Sequence, residues 1–141
     1  MQKLKTIVPF ACLLTMCAAA GFSDAPQEDV PDISLADLKQ AIAGKQVALI
    51  DCNGSKSFAQ GHIPGAIDFQ ASKADLARLL PPEKTALVVA YCGGPKCLAY
   101  QAGAAAAAKL GYTNVKHFSG GLAGWKQAGE NLEPAAPSPT P

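Results

Sequence analysis

No basic stripe runs through this sequence. Its 141 residues carry 12 Lys and Arg against 11 Asp and Glu, a formal net charge of +1. A nucleic-acid partner needs clustered cations that release counterions from phosphate, so none is expected. An apolar run of membrane-spanning length, about 20 residues, is missing as well. The longest apolar stretch, from about Thr6 to Ala20, falls short of it. Repeats of long period are absent, and the length suits one domain with short appendages. A second cysteine pair of the kind that closes a zinc site is also lacking. Cys92 and Cys97, with His62 or His117, make a poor tetrahedral set, so no metal is expected.

What is present begins with an address. In "MQKLKTIVPFACLLTMCAAAGFSDA", Lys3 and Lys5 precede a short apolar middle that ends in small residues. That order is the order of a bacterial-type secretory signal. Cleavage is expected after Ala20, with Ser23 as second choice, leaving residues 21–30 as a flexible leader. The expected location is exported and periplasmic. A competing feature is "LTMC", which resembles a lipoprotein box; an acylated Cys17 would then tie the protein to a membrane. Met16 is larger than the small residue that such a box carries before its cysteine. With Cys12 and Cys17 removed, Cys52, Cys92 and Cys97 remain. An odd count in an oxidising compartment leaves at least one thiol free or paired outside the chain.

Residues 31–130 read as the folded domain, and the proline-rich tail "NLEPAAPSPTP", 131–141, reads as unable to pack. "SLADLKQAIAG" is expected to be a helix, with Ser34 as N-cap and Gly44 at its close. "VALID" and "TALVVAY" are unbroken apolar runs of buried-strand type. "AIDF" and "VKHF" are shorter strands. "SKSFAQG", "SKADLARLL", "CLAYQAGAAAAAKLG" and "LAGWKQAG" are helices, the second stopped by Pro81 and Pro82. Strands alternating with helices predict an α/β fold: a parallel sheet covered on both faces. The site should lie beyond the C-terminal ends of the strands, where "ALIDCN" and "VVAYCGG" end.

Cys92 is the candidate nucleophile. It closes a buried strand and leads through Gly93, Gly94, Pro95, Lys96 and Cys97 into a helix. Successive N–H groups in such a loop can form an anion-binding nest, and a helix start adds positive partial charge. Both favour thiolate over thiol and lower the pKa of a cysteine held there. Lys96 adds a cation at the mouth. The plainer alternative is a buried structural cysteine.

Three segments carry a resemblance to the rhodanese-homology family, the single-domain sulfurtransferases. "LIDCNGSKSFAQGHIPGAIDF" resembles its first signature, an aspartate closing a strand and then G-H-I-P-G-A. "VVAYCGGPKC" sits at the active-site loop, with Cys92 in the nucleophile position. "NVKHFSGGLAGWKQAG" resembles the C-terminal signature through Gly120, Gly121 and Trp125. The resemblance implies about five parallel strands with helices on both faces. It implies a persulfide on Cys92, taken from a thiosulfate-like small-molecule donor and passed to cyanide or to a thiol, including one on a protein partner. It implies no cofactor. The loop amides of Gly93, Gly94, Lys96 and Cys97 would stabilise the anionic sulfur, and Pro95 has no N–H to offer.

Three positions beside the loop are candidate supports. Asp51 reads as a hydrogen-bond acceptor at a strand end. Cys52 stands where the family has a small aliphatic residue, and is either a buried small residue or a second thiol. Asn53 replaces the arginine of many members. Leu98 stands where phosphatase relatives carry arginine, which disfavours phosphate chemistry. Two other readings stand beside the enzyme. Cys92 and Cys97 could form a thiol-redox or sensor pair, or the domain could bind a partner without turnover. His62 reads as a turn residue, His117 as packed and Trp125 as core.

Overall fold

The computed structural model describes residues 29–134. The expected signal peptide and most of the leader lie outside the described residues, as does the tail beyond residue 134. Ser34 is extended, and its hydroxyl accepts the Asp37 N–H at 3.1 Å. It starts helix α1, Leu35–Ala43, which Gly44 closes. The apolar run "VALID" becomes strand β1, Val47–Asp51. Helix α2, Ser55–Gln60, ends at Gly61 and is followed by β2, Ala66–Asp68.

"SKADLARLL" is not one helix. The Asp68 carboxylate accepts the N–H groups of Gln70 and Ala71 and so starts α3, Phe69–Ser72, several residues early. The chain then turns and restarts as α4, Leu76–Leu79. Leu80 is extended, as the residue before Pro81 should be. Strand β3, Leu87–Tyr91, helix α5, Tyr100–Lys109, strand β4, Val115–Phe118, and helix α6, Gly121–Gln127, complete the order.

Four parallel strands form one sheet in the order β2-β1-β3-β4. The fifth position is reduced to a single bridge between Asp32 and His117 at the β4 edge. His117 N–H donates to the Pro31 carbonyl, and Ile33 N–H donates back to the His117 carbonyl, both at 2.8 Å. Pro31 has no N–H and Ser34 already opens α1, so the pairing stops there.

The sheet's pleat sends alternate residues to opposite faces. Ala48, Ile50, Val88 and Ala90 pack with Ala104 and Ala107 of α5 and with Phe69, Leu76 and Tyr112. Leu49, Val89 and Tyr91 pack with Leu38 of α1, Trp125 of α6 and Phe118. Both faces are therefore covered, as a parallel sheet requires. Helix α5 lies close against the strands. A Cβ on Gly103 would stand 2.6 Å from Cys52 Sγ and 3.0 Å from Ile50 Cγ2. The small residues of α5 are what permit that approach.

The tail differs from expectation at its start. Asn131 accepts the Trp125 indole N–H at 2.9 Å, and Leu132 packs on the α1 and α6 face. Glu133 and His62 exchange two backbone bonds at 2.9 Å. The Glu133 carboxylate also accepts the Gly65 N–H at 3.0 Å. Residues 131–133 are thus part of the fold and fasten the "GHIPG" turn; the apolar and acidic side chains there outweigh the proline-rich composition around them.

Candidate active site

Asp51 and Tyr91 are in register at the C-terminal ends of neighbouring strands, and Cys52 N–H donates to the Tyr91 carbonyl at 2.9 Å. The segments after β1 and β3 therefore leave the sheet side by side. One polar chain ties them together. Ile63 N–H donates to Tyr91 Oη at 3.0 Å, and Tyr91 O–H donates to Asp51 Oδ2 at 2.7 Å. Asp51 Oδ1 accepts both the backbone N–H of Asn53, at 2.7 Å, and its side-chain N–H, at 2.9 Å. Asn53 in turn lies against Gly93.

Asp51 is buried, and both of its carboxylate oxygens accept within this chain. It holds Asn53 directly and the "GHIPG" turn through Tyr91. Sequence reasoning did not single out Tyr91. A hydroxyl closing an otherwise apolar strand, beside a strand that closes in aspartate, was the signal for it. Burial first, and then the Asp51 carboxylate, push the Tyr91 phenol far above its ordinary range, so it stays a donor. Tyr91→Phe would orphan Asp51 Oδ2 and the Ile63 N–H together. A loss of about 1–3 kcal/mol is expected, read as a lower denaturant midpoint.

Cys52 takes the other face, under α5. Burial pushes its thiol up to about 12, against a smaller opposing effect of the Gly103 backbone. It behaves as a small packed residue with an inert thiol.

The loop begins with Cys92, 1% exposed. Its floor is built by the start of α6. Leu122 N–H donates to the Cys92 carbonyl at 2.8 Å, and Ala123 N–H donates to the Gly93 carbonyl at 3.0 Å. This approach requires glycine at 121. Its φ is +55°, and a Cβ there would stand 2.4 Å from Cys92 O and 2.7 Å from Gly94 N.

Gly94 to Cys97 form a β-turn. Cys97 N–H donates to the Gly94 carbonyl at 3.0 Å, and Pro95 occupies the second position, where its fixed φ suits the turn. The Cys97 amide is therefore engaged within the loop, contrary to the expectation that it supports the sulfur. The Cys97 carbonyl instead faces Cys92 Sγ at 3.2 Å. The N–H groups of Gly93, Gly94 and Lys96 have no acceptor among the described residues. They remain free for an anion, and Lys96 is exposed beside them. Helix α5 starts at Tyr100, later than expected, so the loop runs through Ala99.

The turn brings the two loop cysteines together. Cys92 and Cys97 are paired as a disulfide, with Cα atoms 6.2 Å apart, inside the range that a bridge spans. Cys97 is half-buried, so its sulfur is the more accessible of the two.

The histidines lie outside this loop. His62 stacks on Phe58 with centroids 3.6 Å apart, and its Nδ1 lies 3.0 Å from the Phe58 carbonyl. His117 stacks on Tyr100 at 3.4 Å, and its Nε2 is buried without a partner among the described residues. Burial lowers its pKa below the ordinary 6.5, with Asp32 opposing. The folded state then favours the neutral ring. This contribution to stability is complete above about 6.5 and is lost as pH falls below it. His117→Phe is expected to flatten that part of the stability–pH curve, measured by denaturant midpoints on either side of it.

A parallel sheet covered on both faces, with a buried cysteine opening a loop beyond a central strand, makes this an α/β domain with Cys92 at its candidate site. Residues 34–128 match the rhodanese-like domain family, and the chain belongs to it. An HTH-type transcriptional regulator of Mycobacterium tuberculosis is 31% identical over 121 residues, covering 85% of this chain and 51% of the regulator. The chain thus spans about half the length of that curated relative. The fold is shared with the human single-domain sulfurtransferase TSTD1: TM-score 0.56, 24% identity, 69% of this chain and 96% of that one. It is also shared with the 3-mercaptopyruvate sulfotransferase SseA of Escherichia coli: TM-score 0.62, 20% identity, 76% of this chain and 52% of that one.

Proposed function

We propose that this chain is an exported sulfurtransferase that carries sulfane sulfur on Cys92. The Cys92 thiolate attacks the outer sulfur of thiosulfate or a similar donor. The donor's S–S bond breaks, sulfite leaves with the electron pair, and the sulfane sulfur stays on Cys92 as a persulfide. Cyanide, or a thiol on a small molecule or a protein, then takes the sulfur.

The observation that carries this reading is the placement of Cys92. It is buried at the end of a central strand, it heads a loop whose Gly93, Gly94 and Lys96 N–H groups have no acceptor among the described residues, and α6 clamps that loop through Gly121. Asn53 supplies no charge where many members have arginine, so the loop amides and Lys96 act on the donor's anionic end alone. Weak donor binding, seen as a high KM, follows. The N-terminal pattern of Lys3 and Lys5, a short apolar run and small residues supports export, with a mature start after Ala20 or an acylated Cys17 at a membrane. The likeness to a regulator supports a second reading, a sensor or partner-binding domain without turnover.

The test is thiosulfate:cyanide transfer by the reduced protein, repeated with other sulfane donors. Thiocyanate formation that needs Cys92 supports the enzyme. Inactivity with every donor overturns it and leaves the second reading.

A further inference from the structure

Resting on that reading, we propose that Cys97 is a resolving thiol and that the protein releases sulfane sulfur as hydrosulfide. Three observations carry this. First, the Gly94–Cys97 turn, set by Pro95, delivers the Cys97 side chain to the Cys92 sulfur, and the two are bonded. Second, Cys97 is half-buried whereas Cys92 is 1% exposed, so Cys97 is the member of the pair that a reductant reaches. Third, Cys97 turns its carbonyl, not its amide, toward the Cys92 sulfur. The Cys97 amide is held by Gly94, and the Cys97 carbonyl oxygen, which repels an anion, faces Cys92 Sγ at 3.2 Å.

The Cys97 thiol gives up its proton and the thiolate attacks Cys92 Sγ. A Cys97–Cys92 bond forms as the bond from Cys92 to the sulfane sulfur breaks. The electron pair leaves with the sulfane sulfur, which takes the proton and departs as hydrosulfide. The sulfane sulfur is reduced and the two cysteines are oxidised to the disulfide. A dithiol reductant then attacks Cys97 Sγ, the half-buried sulfur, and returns both thiols while being oxidised itself. Over the cycle, thiosulfate and a dithiol become sulfite, hydrosulfide and the oxidised dithiol. Cys52 takes no part, since its thiol packs under α5 on the opposite face.

The test uses the full chain, reduced, freed of reductant and given one equivalent of thiosulfate, with Cys97→Ser beside it. Sulfite, hydrosulfide and intact mass are followed. The wild type is expected to release sulfite and then one hydrosulfide per chain with no added thiol, and to end as the Cys92–Cys97 disulfide. Cys97→Ser is expected to release sulfite, lose hydrosulfide release, and keep one extra sulfur on Cys92 that cyanide removes. A wild type that holds its persulfide as stably as Cys97→Ser overturns the resolving role and leaves the carrier role standing. Sulfite release from neither protein overturns both.

Discussion

Cys92→Ser is expected to lose sulfur uptake from thiosulfate completely while keeping its fold. The side chain is 1% exposed and the exchange hardly alters its volume, so packing around β3 and the loop is retained. The loss is chemical. A serine hydroxyl is not ionised at any working pH, and oxygen cannot hold sulfane sulfur as a thiolate does. Cyanolysis should fall to the uncatalysed background, whereas the denaturant slope should match the wild type. The same variant frees Cys97 from its bridge, so thiol titration of the oxidised protein should gain Cys97 relative to the wild type.

The second large effect is expected from Gly121→Ala, at a residue that touches no substrate. The new methyl would meet Cys92 O at 2.4 Å and Gly94 N at 2.7 Å, both backbone atoms that cannot rotate away. The positive φ adds strain for any residue with a Cβ. The loop and the start of α6 must separate, which breaks the bonds from Leu122 to Cys92 and from Ala123 to Gly93. A destabilisation of about 3 kcal/mol is expected, with most of the sulfur-uptake rate lost as well. Gly124→Ala is the control. Its methyl would make only an ordinary contact, 3.9 Å from Phe118, inside the same helix. It should be neutral or gain up to about 1 kcal/mol. Equal damage from the two substitutions would show that α6, not its clamp on the loop, is what matters.

Much of this was legible in the sequence, because the deciding signals are local. "VALID" and "TALVVAY" are apolar throughout since both faces of their sheet are covered, and Ser34 and Gly44 mark the ends of α1 through backbone geometry. Cys92 stood out because it closes such a strand before two glycines. What stayed hidden depends on contacts between distant residues. The Asp51–Tyr91–Ile63 chain joins three segments, and nothing in any one of them announces the other two. Asp68 split an expected helix by capping earlier than the apolar pattern begins. Leu132 and Glu133 are two ordering residues within a proline-rich tail, and composition averages them away. The Cys97 amide was expected at the sulfur because successive N–H groups of a glycine-containing loop can turn inward as an anion-binding nest. The Pro95 turn directs it to Gly94 and brings the Cys97 side chain to Cys92 instead.

The most direct measurement is the intact and peptide mass of the reduced protein, in wild type and Cys97→Ser, after a single exposure to thiosulfate. The account predicts one added sulfur atom, located on Cys92 and removable by cyanide, in Cys97→Ser, and sulfite release followed by the Cys92–Cys97 disulfide in the wild type. An unchanged mass in both proteins, with no sulfite released, would contradict it.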